Sequence, residues 1–113
     1  MNEKRKFIRV DYELPVKVET GDVAVPSFEG RLKDISAQGL KIESHEKIYP
    51  GTAIRIGVEI NDELFSLVGY IRWMKEKGIG YILGIMLDES HAEHNNKTVE
   101  KIIEKVINEK ERK

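Results

Sequence analysis

At 113 residues, with 40% hydrophobic and 35% charged side chains and a formal charge of −1, the chain has the size of one domain and too large an apolar share for a disordered polymer. It has no cysteine, which excludes disulfides, thiolate metal sites and cysteine nucleophiles. Near-neutrality with interspersed signs argues against a surface for DNA, and the lack of a long apolar run argues against membrane insertion, so a single cytoplasmic domain over 1–113 is expected.

The first element is a leader, residues 1–12, in which Lys4-Arg5-Lys6-Phe7-Ile8-Arg9 places four cations and no anion in six positions. Leu14, Val16 and Val18 then alternate with Pro15, Lys17 and Glu19, which predicts a half-buried strand with proline at its start. A second strand is expected over 28–35, with Phe28, Gly30, Leu32 and Asp34 on one face, and Asp34–Gly39 is read as a turn before alternation resumes at Leu40. Ile54, Ile56, Val58 and Ile60 mark the cleanest strand, Leu64–Met74 an apolar one, Lys75–Gly78 a reversal and Ile79–Leu87 the last strand. Six short strands over 13–88 imply a closed barrel or a sandwich. Val99, Ile102, Ile103, Val106 and Ile107 fall on one stripe, so a helix over 96–110 is expected to cover the barrel.

Little in the chain supports catalysis, and an enzyme is not expected. No serine stands at a strained elbow, and no two carboxylates share an apolar setting that would split their pKa values. His91 and His94 could meet on one helical turn, but their polar segment suits helix capping better than zinc; His45 stands alone. Gly78, Gly80 and Gly84 would cradle phosphate only ahead of a helix, and here they open a strand, where a bend or bulge is the better reading. Lys77-Gly78-Ile79-Gly80-Tyr81-Ile82 is also similar to an RNA-contacting strand of cold-shock domains, although Ile79 and Gly84 stand where base-stacking rings would be needed. Trp73 and Tyr81 are read as core or barrel-end residues.

Two further motifs remain. Arg5 and Arg9 stand four residues apart, and about 25 positions later comes Asp34-Ile35-Ser36-Ala37-Gln38-Gly39. Either alone could be incidental: a solvated basic tail, or a side-chain-capped turn ending in a glycine with positive φ. Together, in this order around the first strands of a small barrel, they resemble the PilZ domain, a bacterial receptor family for the second messenger cyclic di-GMP. Arg9–Val16, Val68–Trp73 and Leu83–Met86 resemble the family's first and later strands.

The resemblance implies a six-stranded antiparallel β-barrel with one C-terminal α-helix, and a binding role without cofactor or metal. It assigns Arg5 and Arg9 to the ligand, on a leader that becomes ordered around it. Guanidinium suits this task because its planar fork donates two parallel hydrogen bonds to phosphate or to guanine O6 and N7, and its face stacks on purines. Lys4 and Lys6 supply charge without the fork and rank below them. Asp34 would accept from guanine N1–H and N2–H, Ser36 would touch phosphate or base, and Gly39 would let the ligand approach. The signal would pass to an effector protein, since no output domain is legible. The alternatives are a PilZ-like interaction module that binds no nucleotide and a cold-shock-like binder of single-stranded RNA.

Overall fold

The computed structural model describes residues 7–10 and 13–111. Seven strands are formed: β1 (Phe7–Arg9), β2 (Pro15–Thr20), β3 (Phe28–Ser36), β4 (Gly39–Ser44), β5 (Ala53–Ile60), β6 (Glu63–Lys77) and β7 (Gly80–Leu87). A 3-10 turn, Glu89–His91, leads into helix α1 (Ala92–Glu111). Strands β2 to β7 follow the order β3-β2-β5-β6-β7-β4, and β4 pairs back onto β3, so six antiparallel strands close a barrel.

Strand β1 adds no seventh stave. It lies end to end with β2 along one edge of β3: β2 pairs with residues 28–31 and β1 with 34–36. The junction is held by Val10 N–H donating to the Lys33 carbonyl (2.8 Å) and Leu32 N–H donating to the Leu14 carbonyl (2.9 Å). Val10 is buried in the core, so the end of the leader is anchored to the barrel by an apolar side chain as well as by the ladder.

The barrel interior takes the alternating residues: Val16 and Val18 from β2, Leu32 and Ile35 from β3, Ile42 from β4, Ile56 and Val58 from β5, Leu67 and Ile71 from β6, and Leu83 from β7. Val99, Ile102 and Val106 of α1 join the same core, each burial contributing about 1.5–3 kcal/mol. A polar clamp fixes where the helix docks. Buried Asn95 accepts from Val68 N–H (3.2 Å) and donates to the carbonyls of Val68 (3.1 Å) and Asp88 (3.2 Å), so its amide serves as a partner for the backbone of β6.

Several boundaries differ from the sequence expectation. The helix starts at Ala92 rather than at 96, because Asp88 caps the preceding turn by accepting from Ser90 N–H and Oγ–H, both at 2.9 Å. These bonds hold the Asp88 carboxyl below its ordinary pKa. Strand β6 runs through Lys77, where a reversal was expected, because Lys75, Glu76 and Lys77 pair with Ile82, Tyr81 and Gly80. The turn is Gly78-Ile79: Gly78 takes a φ of +59°, and Ile79 is left at the tip, 91% exposed.

The larger correction concerns β3. Strict alternation would put Asp34 on the face of Leu32, inside the barrel. A β-bulge between Leu32 and Asp34 inserts Lys33 as an extra residue, so Asp34 turns outward while Leu32 and Ile35 both point inward. Strand β6 repeats the device. Ile71 and Trp73, two apart, would share a face, but a bulge between them places Ile71 inside and Trp73 outside, 40% exposed. Trp73 is therefore neither a core nor a barrel-end residue.

Candidate functional site

The two bulges create one feature. Reading the registers across the sheet, Trp73 of β6 faces Gly84 of β7, Gly84 faces Lys41 of β4, Lys41 faces Asp34 of β3, and Asp34 faces Arg9 of β1. These five residues form a single row across the outer face of the barrel. At about 4.8 Å per strand the row spans roughly 19 Å.

Each position in the row has a local cause. Gly84 is required because the Trp73 indole fills the space its Cβ would need, so the ring packs directly over Gly84. Asp34 is half-buried and carries an ion pair with Lys41 Nζ at 3.6 Å. Arg9 is exposed and forms no ion pair among the described residues, and the same holds for Arg72 beside Trp73.

The β3–β4 turn borders the row. Ser36 Oγ accepts from the amides of Gln38 (3.2 Å) and Gly39 (3.3 Å) and lies 3.4 Å from the Gly39 carbonyl, so its hydroxyl caps the turn. Gly39 does not take the positive φ that a simple capped turn ending in glycine would give it; among the described residues the positive-φ glycines are Gly51 and Gly78. A Cβ on Gly39 would instead collide with the Ile85 carbonyl oxygen of β7, so close strand approach is what demands glycine there. The turn is also tied to the end of β7, since Leu87 N–H donates to the Gln38 carbonyl at 2.9 Å.

Two concavities open on the row. One, of about 300 Å³, is lined by Asp34, Ser36 and Gly39 on one side and by Arg72, Trp73 and Met86 on the other. The second, of about 580 Å³, is cationic: Arg9, Arg31, Lys33, Lys41 and Lys77 line it against Glu13 and Asp34. Asp34 and Lys41 belong to both. Below the row, Glu43 collects Arg31 (3.0 Å), Lys77 (3.2 Å) and Lys33 (4.0 Å). The Lys77 hydrogen bond, helped by Lys33 and Arg31, holds the Glu43 carboxyl below the usual glutamate pKa.

The fold places Arg9, Asp34, Ser36 and Gly39 near one another on the outer face. Arg5, Lys4 and Lys6 lie outside the described residues. Arg72 and Trp73 also line the smaller concavity and were not among the sequence candidates, because nothing in the linear pattern announces the bulge that turns the tryptophan outward; its one trace is Gly84, whose missing side chain makes room for the ring. His94 Nε2 donates to the Ser66 carbonyl at 2.8 Å, and His91 lies by Ser90 and Asp88. Among the described residues, no helix is long and apolar enough to cross a membrane.

Known proteins share this architecture. The PilZ domain of CeSA from a cellulose-synthesizing bacterium superposes with a TM-score of 0.61 at 19% identity, covering 85% of this chain and 96% of that one. The Bacillus subtilis inhibitor of motility MotI/DgrA gives 0.65 at 15% identity, over 95% of this chain and 53% of that one. K. pneumonia MrkH in its apo state gives 0.69 at 12% identity, over 99% and 54%. The chain spans about half the length of the latter two. At these identities the likeness establishes the fold alone. No curated protein matches the sequence. The PilZ domain family model matches residues 3–105, a span that takes in both motifs and every strand of the barrel; the chain belongs to the PilZ domain family.

Proposed function

We propose that this domain is a receptor for cyclic di-GMP, which it binds across the outer row running from Arg9 to Trp73. PilZ domains are generally non-catalytic receptors and typically bind this nucleotide. The observation that carries the reading is the pairing of Arg9 with Asp34 in the β1–β3 register, beside a turn capped by Ser36 and across a cleft from Trp73.

Each group answers one part of the ligand. Arg9 offers a fork for a phosphate or for guanine O6 and N7, and Arg5 supplies a second fork as the leader folds onto the barrel. Asp34 accepts from guanine N1–H and N2–H, a pair of donors that adenine lacks, and so selects the base. Trp73 offers a flat apolar face for a purine, and Arg72 a further cation. Ser36 and Gly39 act by shaping the turn that holds Asp34 in place. The ordered leader then presents a surface for an effector protein.

Calorimetric titration with cyclic di-GMP tests this, with cyclic di-AMP and GTP as controls. Binding is expected for cyclic di-GMP, with Arg9→Ala and Asp34→Ala each weakening it at least about tenfold while circular dichroism is unchanged. Equal binding of the adenine analogue would refute the role of Asp34.

A further inference from the structure

Lys41 belongs to neither motif, yet it occupies the middle of the row. It faces Gly84 on one side and Asp34 on the other, and it lines both the Trp73 cleft and the cationic groove. Its ammonium lies 3.6 Å from the Asp34 carboxylate, within ion-pair range but longer than a good N–H···O bond. Lys41 is the one charged partner of Asp34 among the described residues, and its own side chain is 45% exposed. The pair is poised to be exchanged rather than locked.

We propose that Lys41 is a ligand-binding residue: its ammonium leaves the Asp34 carboxylate for a phosphate of the cyclic dinucleotide as the guanine takes Asp34. The inference rests on the nucleotide-binding reading above. Three points on the outer face support it. Lys41 is the cation next to Asp34 on β4, paired with it in register and by charge, so it lies within reach of whatever Asp34 holds. Of the other cations of the groove, Arg31, Lys33 and Lys77 are drawn to Glu43, which leaves Lys41 and Arg9 to meet an anion. The exchange also conserves charge pairing. Asp34 gives up a cation and gains two N–H donors, while Lys41 gives up a carboxylate and gains a phosphate, so neither group is left desolvated and alone.

The alternative for the same geometry is that Lys41 merely competes with the ligand for Asp34, and the two differ in sign. Calorimetry on the full chain with cyclic di-GMP would compare the wild type with Lys41→Gln and Lys41→Arg at low and high salt. Expected are a loss of about tenfold in affinity for Lys41→Gln, near-wild-type affinity for Lys41→Arg, and a weaker salt dependence for Lys41→Gln. Affinity of Lys41→Gln equal to or above the wild type overturns the proposal and leaves the nucleotide reading standing. If the wild type itself does not respond to cyclic di-GMP, the nucleotide reading fails and the proposal fails with it.

Discussion

Two glycines show why residue identity in a motif does not by itself report ligand contact. Gly39 stands in the Asp-x-Ser-x-x-Gly turn, yet its missing side chain makes room for the Ile85 carbonyl of β7. Gly39→Ala should therefore destabilise the fold by about 1–3 kcal/mol, the usual cost of forced overpacking, seen as a lower midpoint in urea without any ligand present. Gly84→Ala should act differently, because the colliding atoms belong to the Trp73 side chain. The ring can swing off the strand, so tryptophan fluorescence should shift to the red while the midpoint changes less than in Gly39→Ala. Glu43 provides the titration. Its pKa is lowered in the fold, so its contribution is fully present above the ordinary glutamate pKa and is lost as pH falls through its own lowered value. Glu43→Gln should cost about 1 kcal/mol at neutral pH, since the network is partly exposed. Chemical unfolding should show that deficit vanish toward the acid end, where the wild-type carboxyl is protonated too.

At the scale of elements, the helix and the bulges differ in how they are specified. The stripe Val99–Ile107 made α1 legible, and its docking depends on Asn95, whose amide satisfies Val68 N–H inside the protein. Asn95→Leu should leave that amide without a partner and cost roughly 2–3 kcal/mol, with hydrogen exchange at Val68 accelerating in step. The strands were legible wherever alternation was strict, as in β2, β4 and β5. It failed at Asp34 and Trp73, and both failures have one cause: an inserted residue reverses the parity of a strand from that point on. A bulge leaves no period of its own in the sequence, so the motif residues could be named while the face they occupy could not. The same blindness hid Trp73 and Arg72. Resemblance supplied Arg9, Asp34 and Ser36 without their geometry, and it offered no hint of Lys41.

For the whole molecule, the arrangement separates stability from recognition. The interior is mostly aliphatic and filled from all six staves and the helix, while the polar groups of the candidate site sit on the outer wall, carried by backbone ladders that the core already holds rigid. Such a site can bind without repacking the core. The turn at Gln38 is also bonded to Leu87, at the end of β7 just before the helix cap. The proposed nucleotide surface is one row of residues that two bulges turn outward. Amide chemical-shift mapping during titration with cyclic di-GMP tests this most directly. Shifts concentrated at Arg9, Lys33–Lys41, Arg72–Trp73 and Gly84 are expected, with α1 changing little beyond its first turn. Shifts gathered instead around the separate concavity beside Pro15, His45 and Tyr81, with the row silent, would contradict it.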